Sequence, residues 1–180
     1  MDKTDYVDQL IRQWERERPA LDVTPMGIIG RISRLSRILE RQIEEVFATH
    51  GLQGGRFDVL AALVRAGKPN RLTPTELYNS LLISSGAITN RIDRLEADGL
   101  VERVPSGSDR RSTPVQLTAI GRKRLDAALR EHLENEQRLI ASLSPEERSV
   151  LSILLRSWLT SLGDLEGPTE SKAITQGAAR

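Results

Sequence analysis

The chain has 180 residues, of which 38% are hydrophobic and 28% are charged, and its formal net charge is +1. This composition is typical of a globular protein of about one domain, and the absence of cysteine excludes disulfides, thiolate metal sites and cysteine-based redox sensing. No apolar stretch approaches the roughly 20 residues that span a bilayer, and residues 1–5 lack the features of a signal peptide. We therefore expect a cytoplasmic protein without membrane contact.

The N-terminal third predicts three helices. Residues 5–18 form a short amphipathic helix that ends at Pro19, and Thr24-Pro25 opens a long helix that ends at Gly51. The apolar residues of the long helix recur at helical spacing: Ile28, Ile29, Ile32, Leu35, Leu39, Ile43, Val46 and Phe47. A compact apolar helix then runs from Phe57 to Val64.

The stretch from Leu72 to Leu117 predicts two helices followed by a hairpin. Thr73-Pro74-Thr75-Glu76 is a capping box with proline at the first helical position. The second helix should begin near Ser84 or Ser85 and end before Gly99, which can adopt the left-handed closing conformation. Strand-like runs at 100–104 and 113–117 flank a loop. This order indicates a winged helix-turn-helix, in a fold that is mainly α with a small β-hairpin.

The C-terminal third predicts two further helices. Thr118 caps a helix that extends to about Leu143, and Ser144-Pro145-Glu146-Glu147 is a second capping box. The last helix has an apolar face: Val150, Leu151, Leu154, Leu155, Trp158 and Leu162. Residues 164–180 show no periodicity and should form a flexible tail.

The helices of both chain ends should form a helical dimerisation domain. We divide the chain into residues 1–50 (dimerisation), 51–118 (DNA-binding lobe), 119–163 (dimerisation) and 164–180 (tail). The apolar faces of the flanking helices exceed what one small core can cover, which predicts a symmetric homodimer. Such a dimer places two recognition helices about 34 Å apart, the repeat of the major groove, and suits a pseudo-palindromic operator. The alternative is that these helices pack only within the chain.

The second helix of the motif has an inward and an outward side. Helical spacing puts Ile88, Ile92 and Leu95 on the side that should pack inward. Five residues should face double-stranded DNA and reach base edges or phosphates: Ser84, Ser85, Gly86, Thr89 and Arg94. Between residues 103 and 124, six basic residues stand against one acidic residue, which supplies a phosphate-binding surface.

The hairpin tip, Asp109-Arg110-Arg111, is the second expected DNA contact. Arg111 would enter the minor groove, oriented by a salt bridge to Asp109, because a guanidinium suits a narrow, negative groove. The alternative is that Asp109 and Arg111 merely hold the hairpin together.

These motifs resemble those of the MarR (multiple antibiotic resistance regulator) family. Asp109, Arg111, Leu117 and Thr118 follow the wing pattern Asp-x-Arg-x5-Leu-Thr, and residues 84–89 and 93–96 resemble that family's recognition helix. The resemblance runs from about Thr24 to Leu162 and implies a DNA-binding regulator, most often a repressor.

Four further residues resemble the ligand set of the urate-responsive branch of that family: Trp14, Asp58, Arg91 and Arg103. Arg91 and Arg103 follow Asp58 by 33 and 45 residues, as in that branch. The resemblance implies that Trp14 contacts a small anionic aromatic ligand such as urate and that Arg91 pairs with its charge. The anion would repel Asp58, and Arg103 would relay the change to the DNA-reading elements.

Each of these residues also has a plain structural explanation. Asp58 near a helix start is favoured by the macrodipole, and tryptophan is enriched at dimer interfaces. Arg91 and Arg103 could be ordinary phosphate contacts.

Two other classes of function compete with a DNA-binding regulator. A winged-helix module can serve protein association without an operator, and strong salt dependence of DNA binding would separate this alternative from a regulator. An enzyme is disfavoured because the sequence has no histidine–carboxylate cluster and no Gly-rich phosphate loop, Gly54-Gly55 being interpreted as a turn. We expect no catalytic residue, metal or cofactor, and we interpret His50 and His132 as solvated helix residues.

Overall fold

The computed structural model describes residues 4–81, 85–104 and 113–164. Its elements in chain order are α1 (Tyr6–Glu17), α2 (Thr24–Thr49), α3 (Arg56–Arg65), β1 (Arg71–Leu72), α4 (Pro74–Leu81), α5 (Ser85–Ala97), β2 (Val101–Arg103), β3 (Val115–Leu117), α6 (Ala119–Leu139) and α7 (Pro145–Ser161). The fold is mainly α with a small antiparallel sheet, as the sequence predicted. No helix in the described ranges is long and apolar enough to cross a membrane.

The first helix is fixed to the second by polar contacts at its start. Asp5 caps α1 in a reciprocal capping box with Asp8, which the sequence analysis did not identify. Arg31 of α2 donates to both carboxylates, with 2.7 Å from its Nε to Asp5 Oδ2. Val7 is the buried residue of α1. Ion pairs and apolar contacts of Val7 and Ile11 therefore dock α1 on the N-terminal half of α2.

The central lobe packs α3, α4 and α5 against a sheet of order β1-β3-β2. Thr73 and Glu76 form the predicted capping box of α4, with 2.7 Å from Thr73 N to Glu76 Oε2. Gly99 follows α5 with a positive φ of 68°, as its expected closing role requires.

The sheet contains one strand that the sequence analysis did not predict. β1 pairs with β3 through Arg71↔Gln116 and Leu72↔Val115, so the expected hairpin is the larger part of a three-stranded sheet. Asn70 precedes β1 with φ 59°, and its side-chain amide donates to the carbonyls of Leu63 and Gly67. This turn directs the chain from α3 into the edge of the sheet.

The last two helices differ in how much they bury. α6 begins at its predicted cap, Thr118, but ends at Leu139 rather than near Leu143. Its Leu125 and Ala128 belong to the core of the lobe. α7 begins at the predicted capping box of Ser144 and Glu147 and buries none of its residues in the single chain.

A large set of apolar side chains on the end helices lies exposed. It includes Leu10, Trp14, Ile28, Ile29, Ile32, Leu35, Ile38, Val150, Leu151, Ile153, Leu154, Leu155, Leu159 and Leu162. We call this set the end-helix apolar surface. The residues belong to α1, α2 and α7 or directly follow α7, so the exposed apolar area is concentrated outside the central lobe. A patch of this kind marks an interaction surface.

Candidate nucleic-acid interface

The helix α5 is anchored in the lobe by one apolar face. Ile88, Ile92 and Leu95 are each at most 1% exposed and join the core formed with α3, α4 and the sheet. The expectation that these three residues pack inward is therefore confirmed. The opposite face of α5, which carries Gly86, Asn90 and Arg94, is exposed.

Two arginines from neighbouring elements hold the sides of α5. Arg103 of β2 donates to Asp93 Oδ1 at 2.6 Å and to Glu96 Oε2 at 2.9 Å. Arg56, at the start of α3, donates to Asp98 Oδ2 at 2.9 Å. These contacts therefore fix the orientation of α5 relative to both the three-stranded sheet and α3. The sequence analysis missed Arg56, because residues 56 and 98 have no sequence relation that would reveal their contact.

The predicted DNA contacts fall in two groups. Thr89 and Arg94 are exposed on α5, and Gly86 is exposed, with no atom of the described residues within 4 Å of where a Cβ would stand. Ser85 is the first residue of α5. Ser84 and the hairpin tip, Asp109-Arg110-Arg111, lie outside the described residues, so their expected roles stay predictions.

An open groove of about 790 Å³ lies between α4, α5 and β2. Its lining includes Pro74, Thr75, Tyr78, Gly86, Thr89, Asp93 and Arg103. The two helices of the helix-turn-helix motif, α4 and α5, and the strand β2 thus surround one groove. A change in the Arg103 contacts would alter its shape.

Asp58 and Arg91 of the predicted ligand set lie near each other. The guanidinium of Arg91 rests directly against Gly55, at the start of α3, and its charge acts on Asp58. The pKa of the Asp58 carboxyl is raised above its ordinary value, because the surrounding protein displaces part of the water around it. The rest of the side chain remains exposed to solvent. Arg91 is the strongest opposing influence on this pKa, followed by Arg65, while Glu44 raises it further.

Trp14 and Arg103 lie apart from that pair. Trp14, which is 45% exposed, lines an apolar cavity of about 430 Å³ between α1 and residues 25–30 of α2. Glu44, the neighbour of Asp58, follows Gly30 by 14 residues, or about 21 Å along the helix. Arg103 reaches α5 on its Asp93–Glu96 side. The protomer therefore does not gather the four predicted ligand residues into one pocket.

The two histidines are not solvated, contrary to expectation. The His132 side chain is 13% exposed and packs 5.0 Å from the ring of Phe47, which stacks on Phe57 at 4.2 Å. The His50 side chain is 15% exposed, with its Nε2 3.0 Å from Glu131 Oε2. Both imidazoles lie where α6 crosses the end of α2, a contact that helical periodicity alone does not reveal. Within the described ranges, no group of histidine and carboxylate residues has the arrangement of a metal site.

Comparisons with known proteins agree with this geometry. Residues 50–112 match the model of the MarR family. The chain is 40% identical to the HTH-type transcriptional regulator PecS of Dickeya dadantii over 149 residues, which cover 83% of this chain and 90% of that protein.

Solved structures give the same result. Sco5413, a MarR family transcriptional regulator from Streptomyces coelicolor, superposes with a TM-score of 0.68 at 27% identity, over 80% of this chain and 99% of that one. A variant of Escherichia coli MarR complexed with operator DNA superposes with a TM-score of 0.64 at 25% identity, over 87% and 99%.

Proposed function

Because the chain belongs to the MarR family of transcriptional regulators, on its PecS-like side, we propose that it is a homodimeric repressor released from its operator by a small anionic aromatic ligand, such as urate. Members of this family are DNA-binding regulators rather than enzymes. The operator would be pseudo-palindromic double-stranded DNA, and the location would be the cytoplasm.

The observation that carries the DNA-binding part is the division of α5 into a buried and an exposed face. The buried face fixes the helix in the lobe, and the Arg103 and Arg56 contacts fix its sides. What remains outside is a free helical surface with Gly86 near its N-terminus and Arg94 further on. This is the arrangement that a helix needs to enter a major groove with its N-terminal residues.

The homodimer is supported by the end-helix apolar surface. α7 has 17 residues and buries none of them in the protomer, so its packing must come from another surface. A second copy presents the same apolar residues in a self-complementary way, as twofold symmetry requires.

Ligand response is supported by the surroundings of Arg91. Among the described residues, its guanidinium has no carboxylate within salt-bridge distance, while Asp58 lies within range of its charge. An anion bound to Arg91 would bring a second negative charge towards Asp58 and disfavour the present position of α3. Because Arg56 joins the start of α3 to Asp98, a shift of α3 would move the recognition helix. Trp14 could join such a site only from the partner or after a rearrangement.

The test is binding of the full-length protein to DNA from upstream of its own gene, followed by fluorescence anisotropy. The affinity should fall steeply with salt, with a slope of about −0.9 in log–log terms for each phosphate contacted. Urate should weaken binding at constant salt.

Variants separate the two parts of the proposal. Arg91→Gln should keep DNA binding and lose most of the urate response, whereas Arg65→Gln, which removes a weaker influence on Asp58, should keep both. Equal urate response in Arg91→Gln and the wild type would refute the ligand site. Absence of specific binding to any sequence of a random DNA library would refute the regulator and favour a protein-association module.

A further inference from the structure

The polar side chains of α5 differ in whether the chain itself already engages them. Asp93 and Glu96 bind Arg103, Asp98 binds Arg56, and Arg91 rests on Gly55. Thr89 also has an interaction within the chain. Among the polar α5 side chains that the structure describes, Asn90 and Arg94 are the two that have none of these contacts with other described residues, neither a hydrogen bond or ion pair nor the packing that holds Arg91.

The position of Asn90 on the helix is the most outward of these. Asn90 stands two residues from both Ile88 and Ile92, so at about 100° per residue it lies about 160° around the helix from each of these two core residues. It is exposed and belongs to the N-terminal half of α5, the half that enters a major groove. Arg94 lies one turn further on and has a longer, charged side chain suited to phosphates.

We propose that Asn90 reads an adenine in each half-site and so is a specificity-determining residue of this regulator. The inference rests on the proposed function. The asparagine amide has one donor group and one acceptor, which match N7 and the N6 amino group of adenine. Guanine presents two acceptors at the same edge, and neither pyrimidine offers a donor and an acceptor side by side there, so these bases leave part of the amide unpaired.

Asn90 is suited to this task for energetic reasons as well. Its side chain has no internal hydrogen bond to give up among the described residues, so DNA binding does not break a contact of the folded protein. It is also short, so little conformational freedom is lost when it is fixed. In a twofold dimer the two copies of Asn90 would read symmetrically related adenines on opposite strands.

The experiment selects bound sequences from a random DNA library with the full-length wild type and three variants. The wild type should recover an adenine at one symmetric position of each half-site. Asn90→Ala should flatten the preference at that position by about 10- to 100-fold and leave the other positions unchanged. Asn90→Arg should shift the same position from adenine to guanine, since arginine pairs with the two guanine acceptors. Asn79→Ala, the same change at an exposed site of α4, should keep the wild-type preference.

The outcomes distinguish this inference from the proposed function. Selection of a half-site by the wild type, with unchanged preferences in Asn90→Ala, would overturn the role of Asn90 and leave the regulator intact. A uniform loss of affinity over all sequences would also overturn it, because that is the signature of a phosphate contact. If the wild type selects no sequence, both the inference and the proposed function fail. Thermal melting of each variant checks that it is folded.

Discussion

Two opposing influences act on the pKa of the Asp58 carboxyl. Partial burial makes the group harder to ionise, and the positive charge of Arg91 makes it easier to ionise. Its folded pKa is raised overall, so the folded state holds the proton more tightly than the unfolded chain does. Ionisation of Asp58 therefore lowers the stability of the protein as the pH rises from the ordinary aspartate pKa through the raised one. A change of charge near Asp58 would therefore alter the pKa of its carboxyl and, with it, the stability of the folded protein.

Removing Arg91 should make this effect larger. In Arg91→Gln the pKa of Asp58 should rise further, because the strongest influence that lowers it is lost, and Arg65→Gln should raise it by less. NMR titration of the Asp58 side-chain carboxyl carbon measures both. If the two variants shift the Asp58 pKa equally, Arg91 is not its principal partner.

Two glycines provide a second comparison between single residues. A Cβ at Gly121 would collide with the backbone carbonyl of Leu100, whereas one at Gly86 would meet no atom within 4 Å in the part of the chain that the structure describes. Gly121→Ala should destabilise the protein by about 1–3 kcal/mol, and Gly86→Ala should stabilise it by about 0.5–1 kcal/mol because alanine favours a helix. Urea unfolding with both variants checks the difference. If Gly86 also lets the backbone approach DNA, its alanine variant will bind DNA more weakly although it is more stable.

At the scale of elements, the position of α5 depends on contacts that cross the sequence. Arg103 links it to β2, and Arg56 links it to α3. Both arginine side chains are largely buried while their partners are partly exposed, so each contact contributes modestly to stability. Their main effect is to restrict the directions in which α5 can move.

A double-mutant cycle on Arg103→Gln and Glu96→Gln measures this link. We expect a coupling free energy of about 0.5 kcal/mol, reduced by salt, because solvent screens the pair. The Arg16–Glu17 pair, with both side chains more than half exposed, is the matched control and should give a value near zero. Equal coupling in the two cycles would show that Arg103 does not hold α5.

The sequence predicted those elements whose signals are local. The capping boxes at Thr73 and Ser144 placed α4 and α7 correctly, and Gly99 marked the end of α5. The sequence did not predict β1, because a strand of two residues has no detectable periodicity. Its pairing with β3 is a tertiary contact that the local sequence does not indicate. The extension of α6 to Leu143 was wrong because the apolar residues after Leu139 continue the pattern although the helix has ended.

In the candidate site too, some features could be predicted from the sequence, and others depend on tertiary contacts. The resemblance placed Asp58 and Arg91 in one set, and they lie near each other because α3 packs on α5. The separation of Trp14 could not be foreseen, since it depends on where α1 docks along α2. Asn90 was overlooked although the helical periodicity that identified Ile88 and Ile92 also indicates its outward position.

At the scale of the whole molecule, the apolar side chains of the central lobe form a buried core, whereas many of those on the end helices are exposed. α7 carries six large apolar side chains that are exposed, and the helix buries none of its residues. Folding of these helices should therefore be coupled to association, and the melting temperature should rise with protein concentration.

A charge on α7 should prevent formation of the proposed dimer. Leu154→Glu places a carboxylate on the end-helix apolar surface, where burial in an interface would be costly, and it should give a monomer in analytical ultracentrifugation. Ile120→Glu is the control: Ile120 is as exposed as Leu154, at 63% against 61%, but lies at the start of α6 next to the lobe. A Leu154→Glu protein that remains dimeric would exclude this part of α7 from the interface.

The length of α2 has a mechanical consequence. Its 26 residues span about 39 Å, with Ile28 on the end-helix apolar surface at one end and Phe47 in the lobe core at the other. The helix thus acts as a lever between the two parts. A tilt of about 5° at the first end displaces the second by about 3.4 Å, the distance between successive base pairs. In the proposed dimer, a rotation of this size would move each α5 by about one base-pair step relative to its half-site.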